Sequence, residues 1–455
     1  MYLEFVDRKA SDRLVLIFAG WATGPRLFSD VSIAGYDTAV AYDYTDLEAP
    51  WISQLGRYKE IAVVAWSYGV PSASQFMLSH KNLPITARIA VNSTLYPADE
   101  ERGIPPTIFN ATAQRLSEAT LRKFMMRMCG GGARYAHVES KLTPGRDIDA
   151  LRRELTAIGE RQPSELVWDH AIVADSDLII PTSAQLRAWE GNALQTEIIS
   201  GAHLPDFTTL LSGLFTDKDL VRQRFGKADT TYDDNAVVQH EIADCLLQML
   251  PPPAPHGENI LEIGAGTGHA TARLVGRKPA SLTVWDLHIT PSVRAIEGVT
   301  TVQTDAETAI KSLPDSSVSM IFSASTVQWF NSLPEFLREG ARVLRPGGIM
   351  ALSTFGPATM REVTGGVSRF PTAETILKMI PSEIEILRFI ETTRTLLFDT
   401  PLDVLRHISS TGVNALDGGD SARLRALRLM KHYPLRADGC APLTYQPIFI
   451  VLQRK

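Results

Sequence analysis

The sequence predicts a two-domain protein of the α/β class, with helices on both faces of a mostly parallel β-sheet in each domain. At 455 residues the chain is too long for one ordinary hydrophobic core. Short, continuous apolar runs alternate with helical stretches in both halves, which is typical of strands buried on both faces of a sheet. One such run in each half leads into a glycine-containing turn, at residues 65–69 and 264–268.

The first half contains a series of candidate strands. They are Leu14–Phe18, Thr38–Tyr42, Ile61–Ala65, Ala87–Val91, Glu165–Ala174 and Glu197–Ile199. Between about residues 100 and 163 the pattern becomes helical and charged. This insert interrupts the strand series, and we expect it to form a helical cap over an active site.

A polar, charged stretch from Ser212 to Asp234 lacks strand alternation, and it predicts a boundary between domains 1–213 and 214–455. An amphipathic helix over Asn235–Leu250 then precedes a second strand series. We expect these strands at Ile260–Ile263, Leu282–Trp285, Thr301–Gln303, Val318–Ser323 and Ile349–Thr354, with a late strand at Leu443–Leu452. An Arg-Pro-Gly-Gly turn at 345–348 precedes the fifth strand.

Composition and charge exclude several classes of protein. A hydrophobic content of 44% with 21% charged residues describes a globular protein, and the net charge of −6 argues against a broad nucleic-acid surface. The charged N-terminus lacks the apolar run of a signal peptide, and the longest apolar stretches are far too short to span a membrane. We therefore expect a cytoplasmic protein that has neither a nucleic-acid nor a membrane partner.

The cysteines and one short polar motif carry little functional signal. Cys129, Cys245 and Cys440 are far apart and not near clustered histidines, so the sequence predicts neither disulfides nor a metal site. The run Asn92-Ser93-Thr94 fits the N-glycosylation pattern. Because no secretion signal accompanies this run, we interpret it as a chance match.

Ser67 lies between an apolar strand and Gly69, with Pro71 opening a predicted helix. This order is typical of a nucleophile held on a sharp strand-to-helix turn, where its hydroxyl group is exposed. Ala65 replaces the first glycine of the usual Gly-x-Ser-x-Gly pattern. The isolated pattern also fits a simple helix cap, so the hydrolase interpretation depends on partners elsewhere in the chain.

Partners for Ser67 follow in the chain order serine, acid, histidine that such hydrolases use. His203 follows a strand and a glycine, where a general base would lie, and Asp177 ends another apolar strand, with Asp175 as an alternative acid. The aspartate would fix the imidazole tautomer and stabilise the imidazolium ion. The backbone N–H groups of Tyr68 and Trp21 are the expected donors of an oxyanion hole.

The second turn, Gly264-Ala265-Gly266-Thr267-Gly268, follows a strand that carries Glu262 and opens a predicted helix. Asp286 ends the next strand, where an acid binds ribose hydroxyl groups. Asp305, followed by Ala306, ends the third strand, where an acid meets an adenine amino group. These positions predict a nucleoside cofactor at the carboxyl ends of the strands.

The loop that begins at Ser323, after the fourth strand, would lie across the same crevice. A bare glycine pattern also fits an NAD-binding domain. The Gly-x-Gly-x-Gly spacing, the third acid and the Arg-Pro-Gly-Gly turn together resemble the class I methyltransferases, which implies a Rossmann-like fold and S-adenosylmethionine as methyl donor. Methyl transfer to a carboxylate depends mainly on alignment, so no prominent catalytic base is expected in this half.

Further stretches narrow this resemblance to one family. Residues 224–228 read RFGKA, 231–233 TYD, 326–329 TVQW and 353–357 STFGP. Together they are similar to the malonyl-acyl-carrier-protein O-methyltransferases of biotin synthesis, over about residues 215–455. By that resemblance Tyr232, Gln328 and Trp329 would lie on the acceptor side. The alternative is that Tyr232 and Trp329 only pack over the cofactor.

The stretches AGWATG at 19–24 and AWSYGV at 65–70 resemble the pimeloyl-acyl-carrier-protein methyl ester esterases of the BioG type. The whole chain thus resembles a BioG–BioC fusion, which implies an α/β-hydrolase fold followed by a methyltransferase. The resemblance further implies methylation of malonyl-acyl-carrier protein, later hydrolysis of the methyl ester of pimeloyl-acyl-carrier protein, and acyl carrier protein as the partner. The alternatives are a pair acting on an unrelated small carboxylic acid, and a catalytically inactive hydrolase-like binding module.

The predicted cap carries residues suited to both parts of such a substrate. Its apolar candidates for an acyl channel are Leu121, Phe124, Met125 and Met128. Candidates for docking an acidic carrier protein are Arg115, Arg122, Lys123 and Arg127 on the cap, and Arg338, Arg342 and Arg345 in the second half. For any single basic residue, a solvated helix face is the alternative.

Overall fold

The computed structural model describes residues 1–142, 145–228, 232–255, 257–364, 370–411, 429–430 and 432–455. These residues divide into two compact units, Met1–Phe215 and Thr216–Lys455. In its described part each unit contains a seven-stranded sheet, and the second unit adds a two-stranded one. The predicted mixed α/β class is therefore confirmed. None of the described helices is long and apolar enough to cross a membrane.

Unit 1 is built on a nearly parallel sheet. Its strands are β1 (Tyr2–Asp7), β2 (Arg13–Phe18), β3 (Asp37–Tyr42), β4 (Glu60–Trp66), β5 (Ile85–Val91), β6 (Trp168–Ala174) and β7 (Ala193–Ile199). They lie in the order β1-β3-β2-β4-β5-β6-β7, and only β1 is antiparallel to its neighbour. Every residue of the central β4 is buried, which explains its continuous apolar sequence. Strand β1 was missed because this partly exposed edge strand has no comparable apolar run.

The helices of unit 1 follow the strands or fill the predicted insert. They are α1 (Gly69–Ser79), α2 (Pro106–Gln114), α3 (Glu118–Met128), α4 (Gly132–Leu142), α5 (Ile148–Gly159), α6 (Thr182–Trp189) and α7 (Phe207–Leu214). Helices α2 to α5 form the insert between β5 and β6. Helix α3 begins at a capping box between Ser117 and Thr120, and the Asp147 carboxylate caps α5.

Unit 2 has a parallel sheet extended by two antiparallel strands. The strands are β8 (Asn259–Ile263), β9 (Ser281–Asp286), β10 (Val299–Gln303), β11 (Val318–Ser323), β12 (Leu344–Phe355), β13 (Ile384–Glu391), β14 (Arg394–Phe398), β15 (Ala441–Tyr445) and β16 (Pro447–Arg454). The large sheet has the order β10-β9-β8-β11-β12-β16-β13, and β14 pairs with β15. The carboxyl ends of β8 to β11 therefore meet at one edge.

Two sequence predictions in unit 2 need correction. The single late strand at Leu443–Leu452 is two strands that pair in different sheets. Gln446 separates them, because its N–H donates to Thr359 Oγ1 and its carbonyl accepts from Gly356, so its backbone turns away from both ladders. The predicted turn at 345–348 is a bulge inside β12, where Gly347 has a φ of +75°.

The helices of unit 2 cover the sheet and the polar boundary stretch. They are α8 (Lys218–Ala228), α9 (Tyr232–Asn235), α10 (Val237–Gln248), α11 (His269–Val275), α12 (Pro291–Arg294), α13 (Ala306–Ala309), α14 (Leu333–Val343), α15 (Arg361–Thr364), α16 (Ala373–Met379) and α17 (Pro401–Ser410). The predicted amphipathic helix corresponds to α10, which buries Val238, Ile242 and Leu246. Much of the boundary stretch is helical, so its lack of strand alternation reflects helix and not loop.

Candidate functional sites

Ser67 lies on the sharp turn between β4 and α1. Its φ is +54°, in the left-handed region that non-glycine residues rarely occupy. Gly69 permits the turn, because a Cβ there would overlap the carbonyl oxygen of Phe18 and lie 2.7 Å from that of Ala19. The local sequence therefore holds Ser67 in a strained conformation next to the loop that follows β2.

His203 connects Ser67 to Asp177 through two hydrogen bonds. Its Nε2 lies 2.8 Å from Ser67 Oγ, and its Nδ1 lies 2.7 Å from Asp177 Oδ2. His203 is fully buried and Ser67 is only 4% exposed. A carboxylate that accepts from Nδ1–H leaves Nε2 free of its proton, so Nε2 is placed to accept the hydroxyl proton of serine.

The structure brings Asp177, not the alternative Asp175, to the histidine. Asp177 Oδ1 accepts two backbone N–H groups, and Gln185 Nε2 donates to its Oδ2 at 2.7 Å. Asp175 instead accepts the N–H of Gly201 at 3.0 Å, and this hydrogen bond lowers the pKa of Asp175. Both acids lie in the loop that follows β6, but only Asp177 contacts the imidazole of His203.

The predicted oxyanion residues lie on two segments beside Ser67. A Cβ on Gly20 would lie 3.2 Å from the Cβ of Ser67, so the loop after β2 passes close to the serine. Trp21 follows in this loop and is fixed by a hydrogen bond of 2.9 Å from its Nε1 to the carbonyl of Leu151 in α5. Tyr68 follows the serine directly and is buried. Participation of the Trp21 and Tyr68 N–H groups stays a prediction.

Helix α3 of the insert packs against this site. The Phe124 ring contacts Trp21 edge-on, with ring centroids 5.1 Å apart. At the end of the helix, the N–H of Leu204, next to His203, donates to the carbonyl of Met128 at 2.9 Å. Leu121, Met125 and Met128 are buried. The apolar face of α3 therefore adjoins the loops that carry the candidate catalytic residues.

In unit 2 the glycine turn approaches the loop after β11. Gly264, Gly266 and Gly268 have φ values of +78°, +56° and +97°. A Cβ on Gly264 would overlap Thr326 Oγ1 and lie 2.6 Å from Thr326 Cβ. Glycine is thus required at 264 for both backbone conformation and space.

A pocket opens at the carboxyl ends of β8 to β11. Of the predicted residues, it is lined by Gly264, Gly266, Asp286, Asp305, Ala306, Tyr232 and Trp329. The Asp286 carboxylate is oriented by the N–H of Gly266 at 3.2 Å and that of His288 at 3.0 Å, and burial raises its pKa. Acceptor oxygens fixed at the pocket wall fit the hydroxyl groups of a ribose.

Asp305 has a basic neighbour that sequence analysis missed. Lys218 Nζ lies 3.4 Å from Asp305 Oδ1 and 2.7 Å from Glu307 Oε2. Burial opposes the charge of Lys218, but the two carboxylates outweigh burial and raise its pKa. Lys218 is the first residue of helix α8 and lines the pocket together with Asp305. Helix α8 therefore begins at the end of the pocket where the sequence predicts adenine.

Four predicted cofactor or acceptor residues do not line the pocket. Gly268 opens α11. Glu262 is buried, and burial raises its pKa to about 8. Ser323 Oγ donates to the carbonyl of Ile263 at 2.9 Å, and Gln328 Nε2 donates to the carbonyl of Ser325 at 2.6 Å. The last two side chains bond neighbouring backbone and so support the loops around the pocket.

Aromatic side chains cover one side of the pocket. Phe225 meets Trp329 edge-on, with centroids 5.8 Å apart, and lies 6.2 Å from the ring of Tyr232. Thr231, in the same predicted motif as Tyr232, lies outside the described residues. His240 and His269 also line the pocket and stack with centroids 4.1 Å apart; no spacing rule pointed to either.

Both units match known protein families. Residues 1–212 match the family model described as pimeloyl-ACP methyl esterase BioG, and residues 261–352 match a methyltransferase domain. The solved structure of BioG from Haemophilus influenzae is 31% identical, covers 45% of this chain and 94% of its own, and aligns with a TM-score of 0.41. Because residues 261–352 match the methyltransferase domain, the second unit has a methyltransferase fold.

Two relatives match stretches of the chain that are longer than either unit. The biotin biosynthesis bifunctional protein BioHC of Cellvibrio japonicus is 29% identical over 62% of this chain and 62% of its own length. A malonyl-[acyl-carrier protein] O-methyltransferase of Bacteroides fragilis is 35% identical over 97% of this chain and 93% of its own. With such identity over nearly the full length of both proteins, the chain belongs to the family of this malonyl-[acyl-carrier protein] O-methyltransferase.

Proposed function

We propose that the chain is a bifunctional, cytoplasmic enzyme of biotin synthesis. Residues 214–455 methylate the free carboxyl group of malonyl-acyl-carrier protein. Residues 1–213, an α/β-hydrolase fold with a helical cap, hydrolyse the methyl ester of pimeloyl-acyl-carrier protein to the acid and methanol. The observation that carries the proposal is the hydrogen-bonded series Ser67, His203, Asp177 inside the segment that matches BioG, on a chain related to a methyltransferase over 97% of its length.

In the esterase unit, Ser67 Oγ attacks the ester carbonyl while His203 Nε2 takes the hydroxyl proton. Asp177 stabilises the imidazolium, and the N–H groups of Tyr68 and Trp21 hold the oxyanion. His203 returns the proton to the leaving methoxide, so methanol departs and an acyl ester of Ser67 remains. Water, deprotonated by the same imidazole, then releases the carboxylate and restores the serine.

In the methyltransferase unit, bound S-adenosylmethionine supplies an electrophilic methyl group. Asp286 would hold the ribose, Asp305 and Ala306 would hold the adenine, and the backbone of residues 264–267 would line the nucleoside site. A carboxylate acceptor has no proton to lose, so the protein contributes alignment and exclusion of water. Phe225, Tyr232 and Trp329 form an apolar wall suited to both tasks, and Ser323 and Gln328 stabilise the surrounding backbone. Within the part of the chain that the structure describes, no group of three or more His, Cys, Asp or Glu side chains could hold a metal ion.

The two reactions protect and then restore one carboxyl group. A free carboxylate is costly to bury in the apolar channels where acyl chains are extended, and a methyl ester removes that charge. The cap keeps the two steps separate by acyl length. A pimeloyl chain is long enough to fill the apolar face of the cap, whereas a malonyl group is too short to do so.

Acyl carrier protein docks on the cap. Arg338 and Arg342 of α14 form ion pairs with Glu335 and with Glu339 and Asp315, respectively, so their charges are already engaged within unit 2. On α3, Lys123 and Arg127 are exposed. An acidic carrier is therefore attracted to α3, next to the site that receives its acyl group.

Assays of the purified chain with both carrier-linked substrates test the proposal. Malonyl-acyl-carrier protein with S-adenosylmethionine should gain a methyl group, and methyl pimeloyl-acyl-carrier protein should lose one. Ser67→Ala should abolish only hydrolysis, and Asp286→Ala only methylation, so each variant controls the other. Activity on free small acids but not on carrier thioesters would favour an unrelated substrate. Failure of Ser67 to react with a fluorophosphonate would favour an inactive module.

A further inference from the structure

The run Asn92-Ser93-Thr94 is not a surface glycosylation signal. It follows β5 directly, and all three residues have no exposed surface. The φ of Asn92 is +45°, a left-handed conformation that asparagine tolerates better than most residues. Burial of polar side chains is costly unless they are hydrogen-bonded, so the partners of this run indicate its purpose.

Asn92 connects the histidine loop to the strand that leads to Asp177. Its Nδ2 donates to the carbonyl of His203 at 2.8 Å, and its Oδ1 accepts the N–H of Ala174 at 2.7 Å. Trp66 Nε1 donates to the same His203 carbonyl at 2.9 Å. Two buried donors thus fix the backbone of His203 against the ends of β4, β5 and β6.

Ser93 holds the nucleophile in the same way. Its hydroxyl donates to the carbonyl of Ser67, on the turn whose φ is already left-handed. The Ser93 carbonyl in turn accepts Trp189 Nε1 from α6 at 2.9 Å. One dipeptide therefore bonds to the backbone of both residues that must exchange a proton.

We propose that Asn92 and Ser93 are positioning residues of the esterase site, which fix the separation between Ser67 Oγ and His203 Nε2. This inference rests on the proposed esterase function. Neither side chain contacts the reacting atoms; both act through the backbone of the residues that do. Because a shift of about 1 Å in catalytic geometry costs on the order of 100-fold in rate, losing either contact should slow the acylation of Ser67 by about 10- to 100-fold.

The test compares Asn92→Gly, Ser93→Ala and Asn192→Ala in the full-length chain. Glycine retains the left-handed backbone at 92 and removes only the side chain. Asn192 is a matched control, since its Nδ2 donates to the carbonyl of Ala188 at 2.8 Å, away from the triad. The measurements are the rate constant and the final extent of Ser67 labelling by a fluorophosphonate, and kcat and KM for a methyl ester.

A positioning role lowers the labelling rate constant and kcat in both variants, with full final labelling and unchanged KM. The pH dependence should keep its midpoint, because Asp177 still bonds to His203 Nδ1. Reduced final labelling at an unchanged rate constant would mean that the contacts only support folding, and would overturn the proposal. Should Asn92→Gly not fold, Ser93→Ala decides alone. A wild-type chain that never labels would overturn the esterase function itself, whereas fast labelling in both variants would overturn only the positioning role.

Discussion

Replacing Gly264 with alanine tests whether residue 264 must be glycine because a side chain there has no room, as well as because of its backbone conformation. At Gly264 φ is +78°, and a Cβ would overlap Thr326 Oγ1 and lie 2.6 Å from both Thr326 Cβ and Cγ2. Gly298 has the same φ of +78°, but nothing lies within 4 Å of its Cβ position. Gly298→Ala therefore reports backbone strain alone and is the matched control.

The expected destabilisation is the sum of two costs, backbone strain and steric overlap. Alanine in a left-handed conformation costs about 1–2 kcal/mol, and both variants share this cost. Forcing an extra methyl group into a packed site typically costs a further ~1–3 kcal/mol, which only Gly264→Ala incurs. We expect unit 2 to lose about 2–5 kcal/mol of unfolding free energy in Gly264→Ala, against about 1–2 kcal/mol in Gly298→Ala.

Calorimetric unfolding measures the stability difference, and titration calorimetry measures the affinity for S-adenosylmethionine. Because Gly264 and Thr326 both line the pocket, their forced separation should weaken binding more than about tenfold, or about 1.4 kcal/mol, while Gly298→Ala binds normally. Hydrolysis by unit 1 should be unaffected and serves as a control for protein concentration. Equal stability of the two variants, or normal affinity in Gly264→Ala, would refute the steric argument.

Three further predictions concern charge. Asp177→Asn should lower kcat for ester hydrolysis on the order of 10³- to 10⁴-fold, and Asp175→Asn should have little effect; comparable losses would contradict the geometry. Below its usual pKa of 4.5, Glu262 is protonated in both the folded and the unfolded protein. Between pH 4.5 and about pH 8, only the folded protein keeps this proton. Unit 2 should therefore lose stability as pH rises from 4.5 towards 8, and Glu262→Gln should reduce this slope in unfolding measurements; an unchanged slope would exclude Glu262 as a source. Reversing Lys123 and Arg127 to glutamate should raise KM for carrier-linked ester about tenfold at low salt, without affecting a small soluble methyl ester; an equal effect on both esters would exclude docking.

Features that depend on residues adjacent in the chain could be predicted from the sequence. The elbow at Ser67 was recognisable because an apolar strand, a serine and Gly69 are consecutive, and His203 because a strand and a glycine precede it. Asn92 was missed because its side-chain partners are 82 and 111 residues away. Lys218 was missed for the same reason, since its carboxylate partners are 87 and 89 residues away in a different element. Hydrogen bonds over such separations leave no local pattern.

Motifs also identify a loop more reliably than the direction of each side chain. Ser323 ends β11 as predicted, but its hydroxyl bonds to the neighbouring strand because the carbonyl of Ile263 is adjacent to it. Spacing favours Asp177 as the acid but does not exclude Asp175. They differ because the carboxylate of Asp177 is fixed by Gln185, whereas the N–H of Gly201 holds Asp175 away from the imidazole. In both cases the deciding atoms belong to other strands or loops.

A chain that both makes and removes a methyl ester must discriminate between acyl lengths, because its two activities are always present in equal amounts. Extending malonyl to pimeloyl adds four methylene groups. At about 0.8 kcal/mol for each buried methylene, complete burial of these groups would favour the longer ester by ~3 kcal/mol, or roughly 200-fold in kcat/KM. The apolar face of α3, which includes Met125 and Met128, adjoins the loops beside Ser67 and is the surface along which we expect the acyl chain to be buried. Esterase activity should therefore rise about fourfold with each added methylene, and Met125→Ser should flatten this series while leaving the shortest ester unchanged. A series that is already flat in the wild-type chain would show that the cap does not separate the two reactions.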